Sequence, residues 1–458
     1  MSDNGLSAAR DKMRRAGVTP EAIEVFTHYY RSLEAGATGL IPEETIEPLT
    51  DIPSIEDVEA DQARDREALA RTVLIKLNGG LGTSMGMDRA KSLLPVRDGR
   101  SFLDLLVQQV RAARAAHGVS LPLVFMNSFR TRRDTLEALA AYPDIEVDGL
   151  PLDFLQNREP KLRADDLTPV TWQADPELEW CPPGHGDIYT ALVASGVLDA
   201  LIERGYRYAM TSNSDNLGAA PSARIAGWFA ASGAPYAPEM CRRTPADVKG
   251  GHLAVRKSDG RIILRDTAQT PQDQMHYFTD QFRHPYFHTN NLWFDLEVLR
   301  RTLTERGGIL GLPLIRNLKT VDPADRDSTP VIQMETAMGA AVEAFEGATA
   351  IEVPRSRFLP VKTTNDLLLV RSDLYEVGED GLLRMVGDQA CTVDLDRRYY
   401  ATVKDFEARF AQGVPSIRAA RTLTVRGDWS FGADVEATGD AQVGPDGAPG
   451  RVPDGARI

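Results

Sequence analysis

Glycines at positions 79, 80, 82 and 86, followed by Lys91, carry the strongest chemical signal in the sequence, within VLIKLNGGLGTSMGMDRAKSLLPV (73–96). Lacking a Cβ, glycine lets backbone N–H groups come close to an anion. A lysine a few residues on adds a compact positive charge suited to phosphate. Together they point to a nucleotide polyphosphate held at the end of a strand. Two common phosphate loops are excluded by single positions. A P-loop needs glycine directly before its lysine, where Ala90 stands, and a dinucleotide fingerprint needs two residues where three separate Gly82 from Gly86.

Two further segments carry chemistry. In WCPPGHGDIY (180–189), Pro182 and Pro183 stiffen the chain, Gly184 and Gly186 allow close approach, and His185 can donate to a phosphate or sugar oxygen. In SNSDNLGA (212–219), Asn213 and Asp215 directly follow the apolar run 206–210. A carboxylate there suits Mg²⁺, which prefers oxygen ligands and often bridges phosphates. An Asx turn would explain the same residues on local grounds.

The elements that must position these groups are strands. Apolar residues 73–75 and 77 read as a buried strand entering the glycine loop. From 71 to about 380, short apolar runs such as LPLVFMNS (121–128) and YFHTNNLWF (286–294) alternate with amphipathic segments. That alternation predicts an α/β fold with a mixed sheet, and ligands on such sheets gather at strand carboxyl ends where the winding reverses. Ahead of it, Ala22, Phe26, Tyr29, Tyr30 and Leu33 recur at helical spacing, and a Pro- and Glu-rich stretch (41–60) reads as an extended linker. Residues 335–345 read as a helix, with apolar positions at 338, 341, 342 and 345. Beyond 392, short alternating runs punctuated by glycine suit two or three turns of a β-helix, and GPDGAPGRVPDGARI (444–458) reads as a frayed tail.

Composition narrows the class. At 458 residues the chain has room for two or three domains. No apolar stretch reaches the length of a membrane helix, and the N-terminus lacks the apolar segment of a signal peptide. Cys181, Cys241 and Cys391 are too scattered for a disulfide framework or a zinc site, which points to a reducing cytoplasmic setting. A net charge of −14 disfavours nucleic acid as a partner. Such a protein must concentrate positive groups locally to bind anionic nucleotides, and a divalent cation would help.

The wording LNGGLGTSMG, ending in Lys91, resembles the UTP–glucose-1-phosphate uridylyltransferase branch of the sugar-nucleotide pyrophosphorylases. Relatives acting on N-acetylhexosamine phosphates carry arginine where Ser84 stands. WCPPGHGDIY looks like the family's sugar-phosphate loop, and METAMGAAVEAFEGATAIEVPRSRFLPVKTTNDLLLV (334–370) is close to its wording. The resemblance implies a Rossmann-like, GT-A-like mixed-sheet nucleotidyltransferase domain (71–385), behind an N-terminal helical segment and linker (1–70). A small left-handed β-helix-like domain (386–458) would follow, its strand edges offering a route to a homo-oligomer.

The resemblance also assigns roles. UTP would lie on Leu77, Asn78, Gly79 and Gly80, with Gln156 reading uracil, Met126 packing near the base and Gly184 close by. The sugar phosphate would meet His185, Asn213, Gly251, Asp266 and Asn290. Glutamate is usual at Asp266 and asparagine at His288, so this chain departs from the family on its sugar side. Mg²⁺ would sit on Asp215. Lys91 and Lys362 would be the catalytic cations, Lys91 on the departing phosphates and Lys362 on the α-phosphate. Glucose 1-phosphate would attack the α-phosphorus in line, reversibly giving UDP-glucose and pyrophosphate. A broader UDP-sugar or UDP-N-acetylhexosamine pyrophosphorylase is the alternative within enzymes, and a silent nucleotide-sugar-binding protein the alternative outside them. Arg355 and Arg357 read as partners of the protein's own carboxylates, and Arg130, Arg132 and Arg133 as a solvated helix start.

Overall fold

A computed structural model describes residues 2–458 except 245, 246, 248, 249 and 388. The apolar run before the glycine loop is β1 (Thr72–Asn78), a central strand of a seven-stranded sheet. The other strands are β2 (Leu123–Asn127), β3 (Asp153–Leu155), β4 (Tyr208–Asn213), β5 (Tyr236–Arg242), β6 (Tyr286–Asp295) and β7 (Ile351–Glu352). Their order is β7-β5-β6-β4-β1-β2-β3, and only β6 runs against its neighbours. The fold is thus α/β with a mixed central sheet.

Side chains alternate across β1, and each face has its own core. Val73 and Ile75 pack with Leu6, Phe26 and Tyr30 of the N-terminal helices Ser2–Arg15 and Pro20–Glu34. Leu74 lies in a second core that reaches Phe102, Phe406 and Val425. Both faces are covered, which is why the strand is apolar at 73–75 and 77.

The chain builds outward from β1 to β3, then returns to lay β4 on the other side of β1. The winding therefore reverses between β1 and β4, opening a crevice at their carboxyl ends. Register aligns the ends: Asn213 stands beside Leu77, Leu77 beside Met126, and Asn127 beside Leu155, directly before Gln156. Residues far apart in sequence meet there because parallel strands end together.

Three expectations are corrected. Residues 335–345 form no α-helix: Pro330–Glu335 pairs antiparallel with Ile315–Thr320, and Met338–Ala344 coils as 3-10 turns. The apolar spacing there reflects burial on every side, with Met338, Ala340, Ala341 and Val342 all buried. The Met338 backbone also has outside partners: its N–H donates to His185 Nδ1, and its carbonyl accepts from the Tyr189 and Tyr236 hydroxyls. The stretch 41–60 is more than a linker. Ile46–Pro48 pairs with His252–Arg256, and the buried Glu43 accepts from Arg265 and Arg283, partners too distant in sequence to read locally.

The third correction concerns the C-terminus, which does not fray. Gly450–Val452 lies parallel to Trp429–Phe431, and the Ile458 N–H donates to the Glu436 carbonyl at 2.8 Å. Backbone pairing holds the segment whatever its side chains. Upstream, Thr392–Leu395, Ser416–Val425 and Glu436–Val443 also lie parallel, side by side.

Candidate active site

A cleft of about 310 Å³ opens at the carboxyl ends of β1 and β4. Leu77, Gly79 and Gly80 enter it from β1 and its loop, Met126 from β2, and Gln156 from just beyond β3. Asn213, Ser214 and Asp215 come from the end of β4, and Pro182, Gly184 and His185 from the 180–189 segment. Lys91 and Lys362 complete the lining.

Both lysines converge on Asp215. Lys91 Nζ donates to Oδ2 at 2.8 Å and to the Val361 carbonyl; Lys362 Nζ donates to Oδ1 at 3.0 Å and Oδ2 at 2.8 Å. Burial would raise the Asp215 carboxyl, but the ammonium groups of Lys362 and Lys91 outweigh it and hold the pKa below its ordinary value. The loop returns Lys91 to the strand end through its own N–H, which donates to the Gly80 carbonyl at 3.1 Å.

Lys362 is brought across by a buried network. The Asn216 side chain accepts from the Leu359 N–H at 2.8 Å and donates to the Arg357 carbonyl at 3.2 Å, while the Val361 N–H donates to the Asp215 carbonyl at 3.2 Å. Glu239, fully buried, takes the Arg357 guanidinium at 2.6 and 2.8 Å and accepts from Trp293 Nε1 at 2.9 Å. Arg355 pairs with Asp247 at 2.6 and 2.7 Å. Both arginines thus serve internal ion pairs, as expected of them. Arg132, at the start of helix Arg132–Leu139, pairs with Asp153 at 2.9 Å.

Two glycines make close contacts. A Cβ on Gly79 would stand 2.6 Å from Gln156 Oε1, so a larger residue there would push that flexible amide aside. Gly184 has φ of 80°, and a Cβ there would lie 2.5 Å from the Thr336 carbonyl oxygen.

His185 Nδ1 accepts from the Met338 N–H at 2.9 Å, which puts the imidazole proton on Nε2. Burial and the Lys362 charge push its pKa down to about 4. It is a neutral ring with one N–H to donate at physiological pH.

Four sugar-side residues lie outside the cleft lining, and hydrogen bonds link three of them to it. Asn290 Nδ2 donates to Asn213 Oδ1 at 3.0 Å, and the Asn290 N–H donates to His288 Nδ1 at 3.0 Å. The His288 N–H donates to the Gly251 carbonyl at 2.7 Å. His288 Nε2 is buried with no hydrogen-bond partner among the described residues. Asp266 caps the turn Thr267–Gln269, and burial pushes its carboxyl up to about 6.

The Asn78 side chain also lies outside the lining. It donates to Asn127 at 2.8 Å and Thr135 at 2.9 Å and accepts from Ser214 at 3.1 Å, bracing the strand ends from within. Among the described residues, no group of three or more His, Cys, Asp or Glu side chains is placed to hold a metal ion. The three cysteines are free and buried, and no described helix is long and apolar enough to cross a membrane.

A family profile described as UTP--glucose-1-phosphate uridylyltransferase matches residues 23–437. The chain belongs to this family. The chain is 37% identical over 425 residues to UTP--glucose-1-phosphate uridylyltransferase of Solanum tuberosum, covering 92% of this chain and 84% of that protein. The Saccharomyces cerevisiae enzyme of that name is 37% identical over 438 residues, covering 94% and 86%. Among solved structures, UDP-glucose phosphorylase from Trypanosoma brucei superposes with a TM-score of 0.91 at 41% identity, covering 99% of this chain and 98% of that one. A mutant of UDP-glucose pyrophosphorylase from Leishmania major, solved in complex with UDP-glucose, gives a TM-score of 0.91 at 41% identity over the same shares.

Sequence reading within this uridylyltransferase family missed two cleft-building side chains. Asn216 directly follows Asp215, and Asp187 follows His185 by two positions; polar residues at both places were the available signal.

Proposed function

We propose that this chain transfers the uridylyl group of UTP to glucose 1-phosphate, releasing pyrophosphate and forming UDP-glucose reversibly. One observation carries the reading: Lys91 and Lys362 meet at Asp215 within 3.0 Å, between a glycine loop and the Gln156 amide. Uracil presents a donor and an acceptor along one edge, which an amide can match. Met126 packs against the base, and 77–80 with Gly184 receive the phosphates. His185 donates from Nε2 to the sugar phosphate, while Asn213 and Asn290, with Gly251 and Asp266 beyond, face the hexose.

A sugar phosphate is already ionised at neutral pH, so its oxygen needs no protein base to attack the α-phosphorus in line. The barrier comes from bringing two anions together and from charge spreading over the transferred group. Positioning and cations meet both demands. Lys91 holds the departing β- and γ-phosphates, and Lys362 the α-phosphate and the incoming one.

The donor set also suits magnesium. The cleft lining offers one carboxylate, Asp215, whose oxygens also accept from Lys91 and Lys362, so an ion held there would share it with the lysines and complete its oxygen shell with phosphates and water. When bound, Mg²⁺ would supply charge neutralisation at the phosphates.

The reversal of winding beside β1 supports a Rossmann-like, GT-A-like reading of residues 71–385, behind the N-terminal segment 1–70. The parallel C-terminal strands support a short β-helix in 386–458, whose edges could join copies of the chain. A broader sugar range is the second reading, favoured by His288 beside Asn290, whose Nε2 has no hydrogen-bond partner among the described residues.

The test is pyrophosphate release with UTP, Mg²⁺ and a panel of sugar 1-phosphates. Fast release with glucose 1-phosphate alone is expected. Comparable release with N-acetylglucosamine 1-phosphate would favour the second reading, and UTP binding without release would refute catalysis.

A further inference from the structure

Two walls of the cleft are tied together behind the residues that line it. Asp187 follows His185 by two positions, and Asn157 follows Gln156 directly. The Asp187 carboxylate accepts from the Asn157 N–H at 2.6 Å and from Asn157 Nδ2 at 2.8 Å. Asp187 is buried and lies outside the cleft lining, on the wall of a small cavity beside it. The same loop is pinned elsewhere by its backbone: the Gly186 N–H donates to the Thr336 carbonyl at 2.8 Å, and the Thr336 N–H to the Pro183 carbonyl at 2.9 Å.

We infer that Asp187 is a positioning residue that sets the base-reading Gln156 segment and the His185 loop in register with each other. The inference rests on the reading of the cleft proposed above. Both oxygens of Asp187 are spent on one partner residue, so each wall constrains the other with two bonds rather than one. Burial lifts the Asp187 carboxyl to about 6, opposed by the two bonds from Asn157, so at neutral pH it is an anion and offers acceptors only. Glu159 lies behind it. Burial, with the Asp187 and Glu335 charges, raises the Glu159 carboxyl well above its ordinary value.

No contact between Asp187 and a substrate is needed for a large effect. A displacement of about 1 Å in a bound reactant can cost roughly 10²-fold in rate. Asp187→Leu removes both acceptors and leaves two Asn157 N–H donors against an apolar side chain, which should separate the walls. Asp187→Asn keeps both bonds: its oxygen accepts from the Asn157 N–H, and its N–H₂ donates to the Asn157 amide oxygen once that amide turns over.

UTP affinity, measured by calorimetry without sugar phosphate, and both KM values would be compared for wild type, D187L and D187N, beside their melting temperatures. D187L should weaken UTP and glucose 1-phosphate together and lower kcat/KM by about 10²-fold, and D187N should retain most of each. Unchanged UTP affinity and KM values in D187L would overturn the inference. So would equal losses in a stably folded D187N. Should D187L not fold, N157A, which keeps the backbone bond and removes the other, must move both substrates in the same direction or the inference fails. A wild-type protein that binds UTP without turnover would refute the proposed reaction, and the Asp187 effect would still be read in UTP affinity.

Discussion

Asp215 and its two lysines concentrate the positive charge that a protein of net charge −14 must gather to bind a triphosphate. Lys362 is half-exposed, its side chain at 53%, and the buried Asp215 keeps Lys91 as a partner when it is removed. Lys362→Ala is expected to fold normally, melt near the wild-type temperature and lose about 10²–10³-fold in kcat, by analogy with removal of an oxyanion donor. Turnover within threefold of wild type would remove its catalytic role. Asp266 makes a different prediction. Its folded carboxyl keeps a proton up to about pH 6, whereas the unfolded carboxyl releases it near 3.8. Between those values the native state binds more protons, so this group's contribution to stability is full below the window and is lost as pH rises through it. The loss is roughly 3 kcal/mol at most. Asp266→Asn should flatten that part of the stability curve, read as the difference between variant and wild-type melting temperatures at pH 4.5 and pH 7. A difference that does not change with pH would contradict the assignment.

At the scale of elements, the glycine loop works because β1 delivers it to a row of strand ends and because Gly79 leaves room for Gln156. Gly79→Ala places a methyl 2.6 Å from the Gln156 oxygen, and the flexible amide is what must yield. The expected outcome is a KM for UTP raised at least tenfold, with a small change in melting temperature. Normal UTP affinity in this variant would mean that Gln156 does not read the base. The strand and loop were legible from residues 73–96 because both signals are local: apolar continuity for burial on two faces, and glycine for close approach. The segment 335–345 was not legible, since its apolar positions match a helix equally well. Its geometry is decided by His185, Tyr189 and Tyr236, which occupy the Met338 backbone from outside.

Across the whole molecule, the C-terminal strands share a core with the sheet rather than standing apart. Leu74 and Phe125 lie in one cluster with Phe406, Phe410, Val425 and Val452. Near Lys362, the Thr364 hydroxyl donates to the Tyr400 carbonyl, at 2.6 Å, and the Leu395 N–H donates to Asn365 Oδ1 at 3.1 Å. Truncation after residue 385 should therefore expose a large apolar surface and give an aggregating, inactive product, measured by size-exclusion chromatography and turnover. A monomeric, cooperatively melting fragment would show instead that the core closes without this part. The sequence by itself determined the α/β class, the glycine loop and the residue types of the cleft, through patterns spanning a few dozen residues at most. Only the tertiary structure decided that Lys91 and Lys362 share Asp215, that Asn216 and Glu239 place the segment bearing Lys362, and that Asp187 joins two walls. It also decided that a glycine-rich C-terminus is paired. Each of these depends on partners brought together by strand register and chain winding, and no local pattern records which distant residue will stand opposite.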